Sequence, residues 1–182
     1  MAQLLYLSKR ARPDIQLSVS FLCTKVRGPD TDEYKKLVRV IKYIQGPIGL
    51  PLILSIEKPG NIKWYVDASF TVHKDMRSHT GGLLTMGTGG NYVQSSKNNL
   101  KIKSSTKAKL VEVDDVLTQV IWTRYFLNEQ GHMIQDNVIY QYNQSAIRLE
   151  KNGKQYSSKR TRHINIRYYF ITDRIMKQEA SV

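Results

Sequence analysis

Two runs of cations stand out in this sequence of 182 residues. Residues 97–109 carry Lys97, Lys101, Lys103, Lys107 and Lys109 with no acid among them. Residues 151–167 carry Lys151, Lys154, Lys159, Arg160, Arg162 and Arg167, again with no acid. Clustered cations suit a polyphosphate backbone, because each phosphate they neutralise releases condensed counterions. The whole chain leans the same way: 28 Lys and Arg against 15 Asp and Glu give a net charge of +13. The nucleic-acid-binding candidates are therefore Lys97, Lys101, Lys103, Lys154, Lys159, Arg160, Arg162 and Arg167, and the expected partner is nucleic acid or a nucleoprotein surface.

A second feature is local. Ser104, Ser105 and Thr106 are each able to cap a helix, yet the first turn that follows holds Lys107 and Lys109. That turn is the positive end of the helix dipole, where carboxylates are favoured over ammonium groups. Other chemistry is thinly represented. A single Cys23 excludes an internal disulfide and a cysteine-based zinc site, and His73, His79 and His132 show no metal-ligand spacing. The lone cysteine fits a reducing interior, hence an intracellular protein of nucleus, cytoplasm or mitochondrion. Residues 1–29 set Lys9, Arg10, Arg12, Lys25 and Arg27 against Asp14 alone, a composition shared with organelle transit segments, although the same stretch reads as helix around Pro13. No apolar run approaches the ~20 residues of a membrane span, so no membrane partner is expected.

These groups need elements to position them. Residues 14–26 and 28–46 read as an antiparallel pair of helices. The second has Thr31 or Asp32 as its cap and Gly46-Pro47 as its stop. Residues 50–58 read as a strand and 59–61 as a turn. Residues 62–70 form an apolar strand carrying Asp67, and 80–89 and 90–98 form two antiparallel partners meeting at Gly89-Gly90. A long helix spans 106–129, facing Leu110, Val113, Leu117, Val120, Ile121, Tyr125 and Phe126 inward. A short buried strand (137–143), a helix (144–151), the basic loop 152–162 and a last helix (164–178) complete the chain. A hairpin feeding parallel strands, with helices on both faces, is a mixed α/β sheet.

That order, with Asp67 near the end of its first strand, resembles a ribonuclease H fold. "YVDASF" (65–70), "SSTKAKL" (104–110), "QYNQSAIRL" (141–149) and "TRHINIRYYFI" (161–171) resemble the RNase H region that ends the polyprotein of copia-like LTR retrotransposons. "YLSKRARPDI" (6–15) and "YKKLVRVIKYIQG" (34–46) resemble the reverse-transcriptase tail that precedes it. The resemblance divides the chain into a helical segment at 1–58 and an RNase H-like domain at 59–182.

The resemblance implies a two-metal nuclease, whose clustered carboxylates hold two Mg²⁺ ions ~4 Å apart. Mg²⁺ takes oxygen ligands, so acids are required. Asp67 matches the first acid. Lys107 and Lys109 stand where the family pattern S-S-T-E-A-E has glutamates, with Lys109 at the ligand position. Tyr142 replaces the aspartate of a D-N-Q-S-A pattern, and Asn165 that of an H-I-D pattern, with Asp173 as an alternative fourth acid. Glu112, three residues after Lys109, shares roughly its face, while Asp114 and Asp115 point elsewhere. The reading is a degenerate site with no metal and no cofactor, in which Lys109 contacts Asp67. Lys107 is expected in solvent, Tyr142 either in the vacated pocket or against a base, and His163 at a helix start instead of in a proton shuttle. The leading expectation is an inactive RNase H-like domain that binds RNA or an RNA–DNA hybrid, for instance inside a ribonucleoprotein such as an organellar ribosome, with Tyr142 and Tyr156 as stacking residues. The alternatives are an active, Mg²⁺-dependent ribonuclease H of a copia-like reverse transcriptase and a purely structural module that contacts proteins.

Overall fold

The computed structural model describes residues 1–46, 49–100, 104–152 and 165–182, without the side chains of Asn165, Ile166 and Tyr168. Three helices come first: α1 (Ala2–Arg10), α2 (Gln16–Cys23), entered through a 3-10 turn at Pro13–Ile15, and α3 (Thr31–Gln45). One more helix is present here than the two expected from the sequence, because Pro13 ends α1 and opens a new start. The cap of α3 is Asp30, not Thr31 or Asp32. Its carboxylate accepts from the amides of Asp32 and Glu33, and the Glu33 carboxylate accepts from the Asp30 amide, closing a capping box. Ile15, Val19, Leu22 and Val40 form a small core shared by these helices.

The main body follows. Strands β1 (Asn61–Ser69), β2 (His79–Thr85), β3 (Tyr92–Lys97) and β4 (Asp136–Tyr140) make one sheet in the order β3-β2-β1-β4. The β1–β2 and β2–β3 ladders are antiparallel, and β1–β4 is parallel. Helices α4 (Ser105–Glu129), α5 (Gln144–Asn152) and α6 (Asn165–Met176) complete it. This is the mixed sheet with flanking helices expected from the sequence.

Strand β1 alternates strictly. Ile62, Trp64, Val66 and Ala68 are buried, and the first three pack with Leu110, Val113, Leu117 and Val120 of α4. The intervening Tyr65, Asp67 and Ser69 face the other side and are exposed. The inward stripe of α4 ends at Ile121; Tyr125 and Phe126, expected inside, are about half exposed, and Phe126 stacks on Trp122 at the surface.

The expected strand at 50–58 is absent. Residues 50–56 carry no regular structure, and Leu50, Leu52, Ile53, Leu54 and Ile56 are exposed. The segment is tied to the β2–β3 loop by backbone bonds from Ser55 to Thr88 and from Glu57 to Met86. Two such bonds do not make a ladder. Gly87 and Gly89 let it approach, because a Cβ at either would collide with the backbone of Ser55 or Ile53. β4 ends at Tyr140, short of the expected 143. Its outer edge meets the last residues of the chain: the Ile139 amide donates to the Ser181 carbonyl at 2.7 Å and the Ser181 amide to that of Asn137 at 2.9 Å.

Candidate nucleic-acid-binding site

Ser104 caps α4, its hydroxyl accepting from the Lys107 amide at 3.3 Å. The first turn of α4 is thereby held at the end of β1, and Lys109 reaches across to Asp67. The Lys109 ammonium donates to Asp67 Oδ1 and lies 3.7 Å from Glu112 Oε2. The three side chains differ sharply in exposure: 66% for Asp67, 5% for Lys109 and 1% for Glu112. Burial alone would depress the ammonium, but hydrogen bonds with Asp67 and Tyr142 and the charge of Glu112 leave it held above its ordinary value. Burial pushes Glu112 up to about 8, against the opposing pull of Lys109. The buried Glu112 carboxyl therefore favours its protonated form more than a free glutamate does.

Tyr142 closes the cluster from outside. Its ring centroid is 4.4 Å from the Lys109 ammonium, a cation–π contact. The ring does not fill a pocket; it is 69% exposed. Lys107 is half-buried instead of standing in solvent. Among the described residues, no group of three or more His, Cys, Asp or Glu side chains converges as a metal site.

The described basic candidates are engaged by carboxylates. Lys97 pairs with Asp75 at 2.7 Å. Arg167 pairs with Asp114 at 2.9 Å and Asp115 at 3.0 Å, which fastens α6 to α4. Burial raises both of those aspartates, with Arg167 pulling each back down. Asp173 is bound to Lys177 at 2.9 Å. Lys101, Lys103, Lys154, Tyr156, Lys159, Arg160, Arg162 and His163 lie outside the described residues, as does the side chain of Asn165.

Two groups of residues escaped the sequence reading. Tyr65 and Tyr140 are partners in the β1–β4 ladder, and their rings stack at 5.1 Å with a 17° interplanar angle. With Leu83, Val93 and Leu17 they line a cleft of about 610 Å³ that reaches Asp67 and Tyr142. The other group is a histidine pair. His73 Nε2 lies 3.0 Å from His79 Nδ1, and His79 Nε2 lies 2.8 Å from Ser95 Oγ. Phe21 of α2 stacks on His73, and the Ser20 hydroxyl donates to the Ser95 carbonyl, so the pair sits where α2 meets the sheet. Both histidines are buried and both are lowered, His79 to about 4 by burial and by His73.

No family model matches the chain. The full length is similar to part of the retrovirus-related Pol polyprotein from transposon TNT 1-94 of Nicotiana tabacum, at 29% identity over 183 residues. The chain spans 14% of that relative's length. Among solved structures, LC11-RNase H1 from compost aligns over 68% of this chain and 83% of its own, with 12% identity and a TM-score of 0.48. A foamy viral protease-reverse transcriptase in complex with RNA/DNA hybrid aligns over 87% of this chain and 25% of its own, with 12% identity and a TM-score of 0.44. No helix among the described residues is long and apolar enough to cross a membrane. The chain is thus similar over its full length to a segment of a retrovirus-related Pol polyprotein, and its described residues form a mixed four-stranded sheet with flanking helices.

Proposed function

We propose that this domain binds nucleic acid without cleaving it. The observation that carries the reading is the Lys109 ammonium seated on Asp67 with the buried Glu112 behind it. A two-metal nuclease needs several carboxylate oxygens open to divalent cations. Here a side-chain cation already engages the exposed carboxylate, and the second carboxyl is both buried and inclined to hold a proton. Such a donor set does not fit a pair of Mg²⁺ ions, and Lys109, Tyr142 and Asn165 stand where the related pattern has acids. The net charge of +13 remains, and it favours a polyphosphate partner, free or within a ribonucleoprotein.

One pair of measurements tests this. A labelled RNA–DNA hybrid is offered with Mg²⁺, and cleavage and binding are followed together as salt is raised. The expected result is an intact hybrid bound with an affinity that falls steeply with salt. Mg²⁺-dependent hydrolysis that disappears in Asp67→Asn would instead establish a working ribonuclease H. No salt-sensitive binding at all would leave a protein-contacting module.

A further inference from the structure

We propose that Tyr65 and Tyr140, on the sheet face turned away from α4, form with Tyr142, at the end of the cleft beside Lys109, a stacking site for the bases of single-stranded nucleic acid. The proposal rests on the nucleic-acid-binding reading above and places the contact somewhere other than the basic loops.

The row is built by the ladder. Tyr65 and Tyr140 are register partners on adjacent parallel strands, so their rings are fixed side by side by backbone pairing. They are 46% and 44% exposed, although aromatic rings in a sheet are ordinarily buried against a second layer. Leu83 continues the row on β2 as the partner of Tyr65, and Val93 on β3 as the partner of Leu83. Tyr142, two residues beyond Tyr140, lines the same cleft. A ring pair already face to face accepts a further planar group at either end of the stack, and the cleft of about 610 Å³ has room for one.

Charge decides which part of a nucleotide belongs there. Both carboxylates that line the cleft have a cation: Asp67 has Lys109, and Asp14 has Arg12 at 2.8 Å. The floor is thus close to neutral, which suits an uncharged base and not a phosphate. The phosphates are left to the basic exterior. Pro13, Asp14 and Leu17 line the cleft, and α1, which precedes them, ends in exposed Lys9 and Arg10, with no acid among residues 1–13. A duplex keeps its bases stacked and paired with each other, so the site selects strands whose bases are free.

The test uses the full chain and three probes with one fluorophore: a single-stranded 12-mer, the same backbone without bases, and an RNA–DNA hybrid. The base-bearing strand should bind about tenfold or more tighter than the abasic strand, given ~1–3 kcal/mol per stacked base. In Tyr65→Ala/Tyr140→Ala that preference should vanish, and in Tyr65→Phe/Tyr140→Phe it should persist. Equal affinity of the wild-type chain for base-bearing and abasic strands overturns the proposal while leaving nucleic-acid binding intact. So does a folded alanine variant that keeps the preference. If none of the three probes binds at low salt, both readings fall together. The wild-type comparison stands even if the alanine variant does not fold.

Discussion

Replacing Lys109 by methionine keeps most of the length of the side chain and deletes its charge. The ammonium lies between a carboxylate that is 66% exposed and a carboxyl that is 1% exposed. Removing one partner of a fully buried ion pair costs about 3–5 kcal/mol. Two features reduce that here. Water screens Asp67, and Glu112 can answer by holding its proton, so the loss at neutral pH should be about 1–3 kcal/mol. The pH dependence separates this account from a simple packing defect. Glu112 is raised to about 8 from its ordinary 4.5, so the native state binds more protons than the unfolded chain between those limits. Its contribution to stability therefore falls as pH rises through that window. The Lys109 charge opposes the fall, and it stays present throughout because it is raised from 10.5. Lys109→Met should accordingly lose least near pH 5 and most near pH 8. With a urea slope of roughly 2 kcal/mol/M, the midpoint should drop by about 0.5–1.5 M at the higher pH and by clearly less at the lower. Equal losses at both values, or none, would refute the coupling of Lys109 to Glu112.

Two other changes are expected. The His73–His79 pair is neutral in the folded state, with both groups lowered, so its stabilisation is full above about pH 6.5 and is lost as pH falls toward 4. The protection of α2 against hydrogen exchange, taken relative to the intrinsic rate at each pH, should fall between pH 7 and pH 5, and His79→Gln should flatten that dependence. Arg167→Met should free Asp114 and Asp115 beside α6 and cost about 1–3 kcal/mol in urea unfolding, whereas a loss under about 0.5 kcal/mol would show that the pair is only a surface contact.

Much of the fold is legible in the sequence because its periodicities are clean. Alternation at Ile62, Trp64, Val66 and Ala68 marks a half-buried strand, and Leu110, Val113, Leu117 and Val120 mark one face of a long helix. The run 50–58 deceives because it is apolar without being periodic, and apolar composition does not supply the neighbour that a strand must pair with. Tyr125 and Phe126 continue the stripe of α4 past the end of the sheet, where nothing is left to cover them. The capping box is visible as Asp30 and Glu33 three residues apart, a stronger signal than the threonine beside it. The tyrosine row and the histidine pair are not legible in that way. The first depends on the register of a parallel ladder between strands more than 70 residues apart, and the second on how α2 lies against the hairpin.

The closing residues of the chain do more than end it. With Ser181 bonded to Asn137 and Ile139, they seal part of the one flank of the sheet where β4 has no strand beyond it. An open flank of that kind is a template on which a second molecule can extend the sheet, and Val138, Ile139 and Tyr140 are the sort of residues that do so readily. Ser181 thus occupies backbone groups of β4 that a second strand would otherwise pair with.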